Sequence, residues 1–220
     1  MMQTFLTALR ATLVTLVLTG LVYPLVVTGV AQLVFPAKAN GSLVVDDQGR
    51  EVGSELIGQG FVDPAYVHPR PSASGYDGAN SGGTNLGPTS KKLRDGQLDD
   101  PATREVDESF VGIAALAAAY RADNALAPDA EVPADAVTRS ASGLDPDISP
   151  ANAALQVARV ARARGVAVER VAAIVGEYSD GRELGLFGEP RVNVLAVDLA
   201  LDRTFGRPTH AGDGSGTLAR

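Results

Sequence analysis

The chain has 220 residues, of which 19 are basic, 26 are acidic and none is cysteine, so its formal net charge is −7. The lack of cysteine excludes a disulfide scaffold and a thiolate metal site. The acidic balance, without a basic stripe, argues against a nucleic-acid-binding protein.

The first prominent feature is an apolar run at residues 11–35 that contains no charged side chain. A helix of this length reaches about 37 Å, enough to cross a hydrocarbon layer of roughly 30 Å. A cleaved signal peptide is the main alternative, with Ala37-Lys38-Ala39 as the cleavage site. The run is far longer than a signal-peptide core of roughly 7–15 residues, and a buried soluble helix rarely lacks charge on every face. The sequence therefore predicts a transmembrane anchor.

The predicted anchor has one face of small and hydroxyl-bearing residues. Ala11, Thr15 and Thr19 are spaced four apart, with Gly20 beside them. Such a face lets another membrane helix approach closely, so Thr15 and Thr19 are candidate partner contacts. Alternatively, the hydroxyls bond back to their own helix. Pro24 is expected to kink the span.

The charges around the anchor favour a cytoplasmic N-terminus. Arg10 precedes the apolar run, Lys38 follows it, and the leader is short. Eighteen of the basic residues and all 26 acidic ones follow the run, which gives residues 38–220 a net charge of −8. Because positive flanks remain in the cytoplasm, the following domain is expected outside it.

Behind the anchor, the chain first predicts a hairpin at residues 42–52, with Gly49 supplying the turn, and then a short element at residues 54–61. Residues 63–90 are rich in Pro, Gly, Ser and Asn and also contain Tyr66 and Tyr76. A loop of this length is typically functional or disordered. Because of its aromatic residues, we predict an ordered loop that contacts a partner or packs over the domain.

Helix signals begin at Asp100-Pro101, a cap followed by proline, and predict a helix at residues 101–126. Its apolar face is formed by Phe110, Ile113, Ala117 and Tyr120. Residues 129–142 are predicted to be a connection, with residues 136–138 as a short extended piece.

A second helix is predicted to begin after Ser149 and to end at Gly165. We expect its apolar side to contain Ala154, Val157, Ala158 and Ala161. A further face bears Asn152, Gln156 and Arg159, which we expect to point towards solvent or a partner.

The remaining predictions are a third helix at residues 168–178, a strand at residues 191–201 and a mobile tail from Phe205. The third helix is expected to bury Val168, Val171, Ala172 and Val175. The fold class is therefore α+β. Residues 1–36 are predicted to be the anchor, 37–205 one domain of about three helices and several short strands, and 206–220 the tail.

No catalytic constellation emerges from the sequence. The two histidines, His68 and His210, lack a nearby nucleophile pattern, and neither Gly-x-Ser-x-Gly nor His-Glu-x-x-His occurs. A Ser/His/Asp site with distant members stays open. Asp99-Asp100 is interpreted as a helix cap rather than a metal site. The glycines after Ser81 resemble a phosphate loop but lack its lysine, so a glycine turn is the preferred interpretation.

Seven motifs occur in order behind the apolar run: Gly53-Ser-Glu-Leu-Ile-Gly-Gln59, Arg70-Pro-Ser-Ala73, Ser81-Gly-Gly-Thr-Asn-Leu86, Ser140-Ala-Ser-Gly-Leu-Asp145, Ile148-Ser-Pro150, Gln156-Val-Ala-Arg-Val160 and Arg191-Val-Asn-Val-Leu195. Together they resemble the C subunit of the Kdp-type potassium-transporting ATPase, the KdpC family. The resemblance covers nearly the whole chain except the tail.

The resemblance implies a non-catalytic, single-pass subunit of a bacterial inner-membrane complex that imports K⁺ using ATP. Its implied partners are a potassium-translocating subunit, an ATP-hydrolysing P-type subunit and the lipid bilayer. In this family the C subunit is described as a catalytic chaperone that raises the ATP affinity of the ATPase subunit. The chain itself requires no cofactor, and the implied nucleotide contact falls on Gln156.

This implied contact conflicts with the predicted topology, because ATP is cytoplasmic and the domain is expected outside. An effect on ATP affinity would then need coupling through the assembly. Our preferred hypothesis is a clamp over the potassium entry, formed by the loop that carries Arg70, Ser81, Gly82, Gly83 and Asn85. Two other classes stay open: a stand-alone anchored extracytoplasmic binding protein and an anchored enzyme.

Overall fold

The computed structural model describes residues 1–46, 48–97 and 109–208. The chain forms two compact units, residues 1–54 and residues 55–220. The first consists of a long apolar helix and a hairpin, and the second is a mixed domain of helices and short strands. The fold class is α+β, as predicted. The predicted mobile tail lies outside the described residues from position 209 onwards.

The N-terminal helix is continuous from Met2 to Val34 and has three parts. These are α1 (Met2–Val17), a π-helical turn (Leu18–Val22) and α2 (Tyr23–Val34). Pro24 lacks the N–H that a carbonyl one turn earlier would accept, and the wider π-helical turn lies just before it. None of these 33 residues is buried. The most apolar stretch of 18 residues has a mean hydropathy of 2.1. By length and composition, this is the one helix able to cross a membrane among the described residues.

The predicted hairpin is confirmed. After the short helix α3 (Pro36–Ala39), strands β1 (Leu43–Val45) and β2 (Glu51–Ser54) pair antiparallel. Gly49 takes a φ of +75°, as the turn requires. The Asp46 carboxylate accepts the backbone N–H groups of Gln48 and Arg50 at 2.9 and 3.0 Å. The bond from Arg50 is the largest of the effects that lower the pKa of Asp46 to about 2.

The second unit contains six helices and three short strands among the described residues. The helices are α4 (Lys91–Asp95), α5 (Ile113–Asp123), α6 (Ala134–Val137), α7 (Pro150–Arg164), α8 (Val168–Glu177) and α9 (Val194–Phe205). Strands β3 (Asp147–Ile148), β4 (Ser179–Asp180) and β5 (Arg191–Asn193) form an antiparallel sheet in the order β3-β5-β4.

The core lies between α7, α8, α9 and the sheet. Val160, Val171, Val197 and Leu201 are fully buried there, together with Val67 from the long loop. Helix α7 has the predicted bounds because the Ser149 hydroxyl accepts the N–H of Asn152 at 3.1 Å, and Gly165 ends the helix in a left-handed conformation. Helix α8 also lies where predicted. Its buried residues are Val171, Ile174 and Val175, whereas Val168 and Ala172 are exposed.

The predicted strand at residues 191–201 is wrong after its first three residues. Residues from Val194 onwards form α9, whose first turn is capped by Asn193 through a 3.0 Å bond from the N–H of Ala196. The segment is apolar on nearly every side, so an alternating pattern and a helical one both fit its residues. Val194, Val197 and Leu201 are three and four residues apart, so they lie on one face of the helix, and the helix buries all three.

Three other predicted elements also differ. The described part of the helix expected at residues 101–126 is α5, which begins at Ile113 and ends at Asp123, while Phe110 pairs with Gln97 in an isolated bridge. Residues 101–108 of this prediction lie outside the described residues. Its proposed cap at Asp100 lies outside the described residues. Residues 136–138 belong largely to α6, where Ala136 and Val137 are buried. Residues 55–61 form a turn and extended chain rather than a separate strand or helix.

Candidate functional site

The polar face of α7 is buried, which contradicts the prediction that it points to solvent or a partner. Asn152, Gln156 and Arg159 are 1%, 1% and 4% exposed. Of the residues assigned to the apolar side, Ala154 and Ala158 are instead exposed, whereas Val157 and Ala161 are buried as predicted. The helix is rotated relative to the prediction because these polar groups find partners inside the domain, which removes the cost of burying them.

Gln156 makes all four hydrogen bonds that an amide can make. Its Oε1 accepts from the backbone N–H of His68 at 2.7 Å and from Nη2 of Arg159 at 2.6 Å. Its Nε2 donates to the carbonyl of His68 at 3.1 Å and to Oδ1 of Asn152 at 2.9 Å. Gln156 therefore binds both the N–H and the carbonyl of His68, as the backbone of a neighbouring β-strand would.

Arg159 binds the same loop with its guanidinium group. Nη1 donates to the carbonyls of Pro64 and Tyr66 at 2.8 and 3.0 Å, and Nε donates to Oδ1 of Asn124 at 3.0 Å. Burial lowers the pKa of Arg159. The fixed geometry of the guanidinium group connects three parts of the chain that are distant in sequence.

His68 lies beside this guanidinium group. Its Nε2 is 3.0 Å from the carbonyl of Asp63 and 3.2 Å from Nη1 of Arg159. Burial, followed by the charge of Arg159, lowers the pKa of His68. Nε2 cannot donate and accept at the same time, so it either donates to the Asp63 carbonyl or accepts from Nη1 of Arg159.

A second polar group surrounds the first turn of α7. Asn152 accepts from the Tyr120 hydroxyl at 2.8 Å and donates to Asp135 at 3.0 Å. Asp135 also accepts from the backbone N–H and the hydroxyl of Ser149 at 2.7 and 2.9 Å. Burial raises the pKa of Tyr120. These bonds join α5 and α6 to the start of α7.

Helix α9 binds the loop from its own side through Asp198. Its Oδ1 accepts the backbone N–H of Val67 at 2.8 Å, while its Oδ2 is buried without a hydrogen-bond partner. Burial raises the pKa of Asp198 well above its ordinary value. Nearby, Arg164 donates to the carbonyl of Ala65 at 2.7 Å and pairs with Asp202 at 2.9 Å.

These contacts place one segment, residues 63–68, at the centre of a polar network that we call the loop anchor. Beside it lies a cleft of about 320 Å³ lined by Val62, Pro64, His68, Asp123, Arg159, Arg162 and Ala163. The network positions backbone rather than reacting groups. In the described part of the chain, no group of three or more His, Asp or Glu side chains is arranged to hold a metal ion.

The other predicted contact residues of the loop pack on the segment around residues 138–145. Arg70 forms an ion pair with Asp145 at 2.8 Å. The Ser81 hydroxyl and the Gly82 N–H both donate to the carbonyl of Ser142, at 3.1 and 2.8 Å.

Backbone geometry explains two further residues of this motif. Asn85 takes a left-handed φ of +54°, and a side chain at Gly83 would meet the carbonyl of Ala141. The loop is ordered and packs over the domain, one of the two predicted outcomes. The glycine motif packs on this segment as irregular chain without a turn at residues 81–87, so the predicted glycine turn is wrong.

In the N-terminal unit, the Thr19 hydroxyl donates to the carbonyl of Thr15 at 2.8 Å. A hydroxyl that bonds back to its own helix is the alternative given above to a contact with a partner helix. Whether Thr15 and Thr19 also contact a partner stays a prediction.

Sequence reasoning missed Asn124, Asp135 and Asp198 as members of the network. Asp198 stood out in the sequence only as the one charged residue within an apolar run, and that pattern indicates a buried, bonded carboxyl group. His210 and Asp99 lie outside the described residues.

Comparison with known proteins assigns the chain to a family. Residues 5–203 match the family described as KdpC, the K⁺-transporting ATPase c chain. A "Potassium-transporting ATPase KdpC subunit" of Myxococcus xanthus is 56% identical over 223 residues, covering 100% of this chain and 97% of the relative.

Proteins of the same name occur in other bacteria. The one from Koribacter versatilis is 46% identical, covering 95% of this chain and 99% of its own. The one from Mycobacterium bovis is 47% identical, and the match covers 92% of this chain and 100% of the relative. The long apolar helix fits a single-pass membrane protein. With a match that spans the anchor helix and nearly all of the folded domain, the chain belongs to the KdpC family, the c chain of potassium-transporting ATPases.

Proposed function

We propose that this chain is an accessory, non-catalytic subunit that stabilises the assembly of an ATP-driven potassium importer in the bacterial cell membrane. Its partners are the potassium-translocating and ATP-hydrolysing chains of that complex. The observation that carries the proposal is the helix Met2–Val34, which is apolar and unburied, in a chain that matches the KdpC family over residues 5–203. A helix with no buried residue within its own chain has its whole surface available to lipid and to other membrane helices.

We infer that the N-terminus is cytoplasmic and that the folded domain lies outside the cytoplasm. Arg10 is the only charge before the apolar run ends, and the domain that follows has a net charge of −8. The exposed Ala154 on α7 offers a labelling site in a chain without cysteine. In intact spheroplasts, a membrane-impermeant thiol reagent should label Ala154→Cys fully. Labelling only after the membrane is broken would place the domain inside.

We also propose that the chain raises the ATP affinity of the ATPase subunit through the assembly. Direct contact by Gln156 would require the exchange of one of its four internal hydrogen bonds. That exchange would leave a buried group unsatisfied at a cost of about 1–3 kcal/mol. An external domain also has no access to cytoplasmic ATP, so coupling through the subunits is the simpler route.

The ATP effect is tested by measuring K⁺-stimulated ATP hydrolysis of the complex with and without this chain. We expect the KM for ATP to fall when the chain is added back. An unchanged KM would reject the chaperone role. With Gln156→Met, assayed below its unfolding temperature, we expect the KM of the unmodified complex, whereas a raised KM at full assembly would favour direct contact.

The clamp over the potassium entry remains part of the proposal. Ser81 and Asn85 are exposed and available to a partner, whereas Arg70 already pairs with Asp145. Charge reversal at Arg70 would therefore also disturb the domain itself. Asn85→Gly keeps the left-handed backbone angle and removes the side chain, so lower transport at equal assembly would support the clamp. Unchanged transport would count against a role of Asn85.

A further inference from the structure

The connection between β4 and β5 carries a concentrated apolar surface. Every residue from 179 to 190 is exposed. Within this hairpin, Leu184, Leu186 and Phe187 are 89%, 75% and 64% exposed, and we call these three residues the apolar tip. Neighbouring large apolar side chains at such exposure are unfavourable in water and typically mark a binding surface.

The apolar tip is held by an ordered turn. Glu183 and Phe187 exchange backbone hydrogen bonds in both directions, each 2.9 Å long. Leu184 takes a φ of +53°, a conformation that a leucine adopts only at a conformational cost, and Gly185 follows at +72°. The turn thus keeps a bulky apolar residue at a position where a small polar residue is easier to accommodate.

Ion pairs close the stem of the hairpin below the tip. Arg182 binds both carboxylate oxygens of Glu189 at 2.7 and 2.8 Å. Arg191 lies 3.6 Å from Glu183 and 3.7 Å from Asp180. The projection therefore presents apolar side chains at its end and paired charges along its sides, an arrangement found at protein interfaces with an apolar centre and a polar rim.

The charges decide which occupant fits the tip. Three acidic and two basic side chains surround it, so the hairpin is net negative and is repelled by an anionic lipid surface. A second copy is disfavoured because the domain itself has a net charge of −8. A different chain of the same assembly, with an apolar pocket and a basic rim, would attract the acidic hairpin rather than repel it.

We propose that the apolar tip inserts into an apolar pocket on another chain of the potassium-transporting ATPase. This inference rests on the proposed function, since it deepens the contact between this subunit and its complex. The tip supplies the apolar centre of the contact, and the acidic residues of the stem face basic groups at the rim of the pocket.

A photocrosslinking experiment identifies the occupant directly. Phe187 is replaced by p-benzoylphenylalanine in the full-length chain, within native membranes that contain the whole complex. We expect a light-dependent product between this chain and another chain of the complex. A product with lipid, a product with a second copy, or no product in an assembled complex would overturn the inference. Leu56, 63% exposed and outside both the hairpin and the cleft, is the matched control position.

A second experiment measures the strength of the contact. The paired substitutions Leu186→Ser and Phe187→Ser should reduce the fraction of the chain that copurifies with the complex at least about tenfold, equivalent to about 1.4 kcal/mol. Leu56→Ser should leave it within about twofold. If the tip variant and the unmodified chain copurify equally, the tip contact is rejected but the proposed function is not. Failure of the unmodified chain to copurify would instead reject the proposed function.

Discussion

Replacing Gln156 by alanine tests whether the loop anchor stabilises the domain. The substitution removes four hydrogen bonds in a buried site. Asn152 keeps its bond from the Tyr120 hydroxyl, whereas Nη2 of Arg159 loses its acceptor. The backbone N–H and carbonyl of His68 lose their partner there. Three unsatisfied groups, at the lower end of about 1–3 kcal/mol each, together with the space left by the side chain, predict a loss of about 3–5 kcal/mol.

This loss is measurable as thermal unfolding of the detergent-solubilised chain. For a domain of this size, about 1 kcal/mol corresponds to roughly 2–4 °C, so Gln156→Ala should lower Tm by roughly 6–20 °C. Ala154→Ser, on the exposed side of the same helix, is the matched control and should stay within about 0.5 kcal/mol. Gln156→Met fills the space and isolates the hydrogen-bond contribution. If Gln156→Ala unfolds at the same temperature as the control, the loop anchor does not stabilise the domain.

Two predictions concern pH. Burial and the charge of Arg159 lower the pKa of His68 in the folded state below the unfolded value of about 6.5, so the domain should lose stability as pH falls through this region. Denaturant titrations at pH 7.5 and 5.5 should show this loss, and His68→Asn should reduce it. Burial raises the pKa of Asp198 above the unfolded value of about 3.9, so its ionisation costs stability as pH rises. Asp198→Asn should therefore gain stability relative to the unmodified chain from pH 4 to pH 8, and a constant difference would contradict a raised pKa of Asp198.

Local signals in the sequence predicted the bounds of α7 because its ends are determined by neighbouring residues. Ser149 and Pro150 begin the helix and Gly165 ends it, and the structure has the same bounds. The hairpin at Gly49 follows the same rule. Similarly, 25 uncharged residues predicted a membrane-length helix without reference to the rest of the fold.

The direction in which α7 faces could not be predicted, because its polar partners come from distant parts of the chain. Gln156 binds the backbone of His68, 88 residues earlier, and Arg159 binds Pro64, 95 residues earlier. A rule that places polar faces in water fails where loop backbone supplies carbonyl and N–H groups inside the domain.

Helix α9 illustrates a different difficulty. Its residues are apolar on both sides of an alternating pattern, so periodicity alone does not separate strand from helix. The informative residue was Asn193, a frequent N-cap, because its side chain accepts the N–H of Ala196. Local capping chemistry thus predicts better than the apolar pattern in segments that are buried on most sides.

We infer that the Met2–Val34 helix remains part of the mature chain and tethers the folded domain to larger transport machinery. Intact-mass analysis of the chain, after mild detergent extraction and size separation of the complex, tests it most directly. We predict a chain that retains residues 1–38 and elutes with the other chains of the ATPase. A chain that begins near Ala39 and is recovered free of membranes would contradict the account.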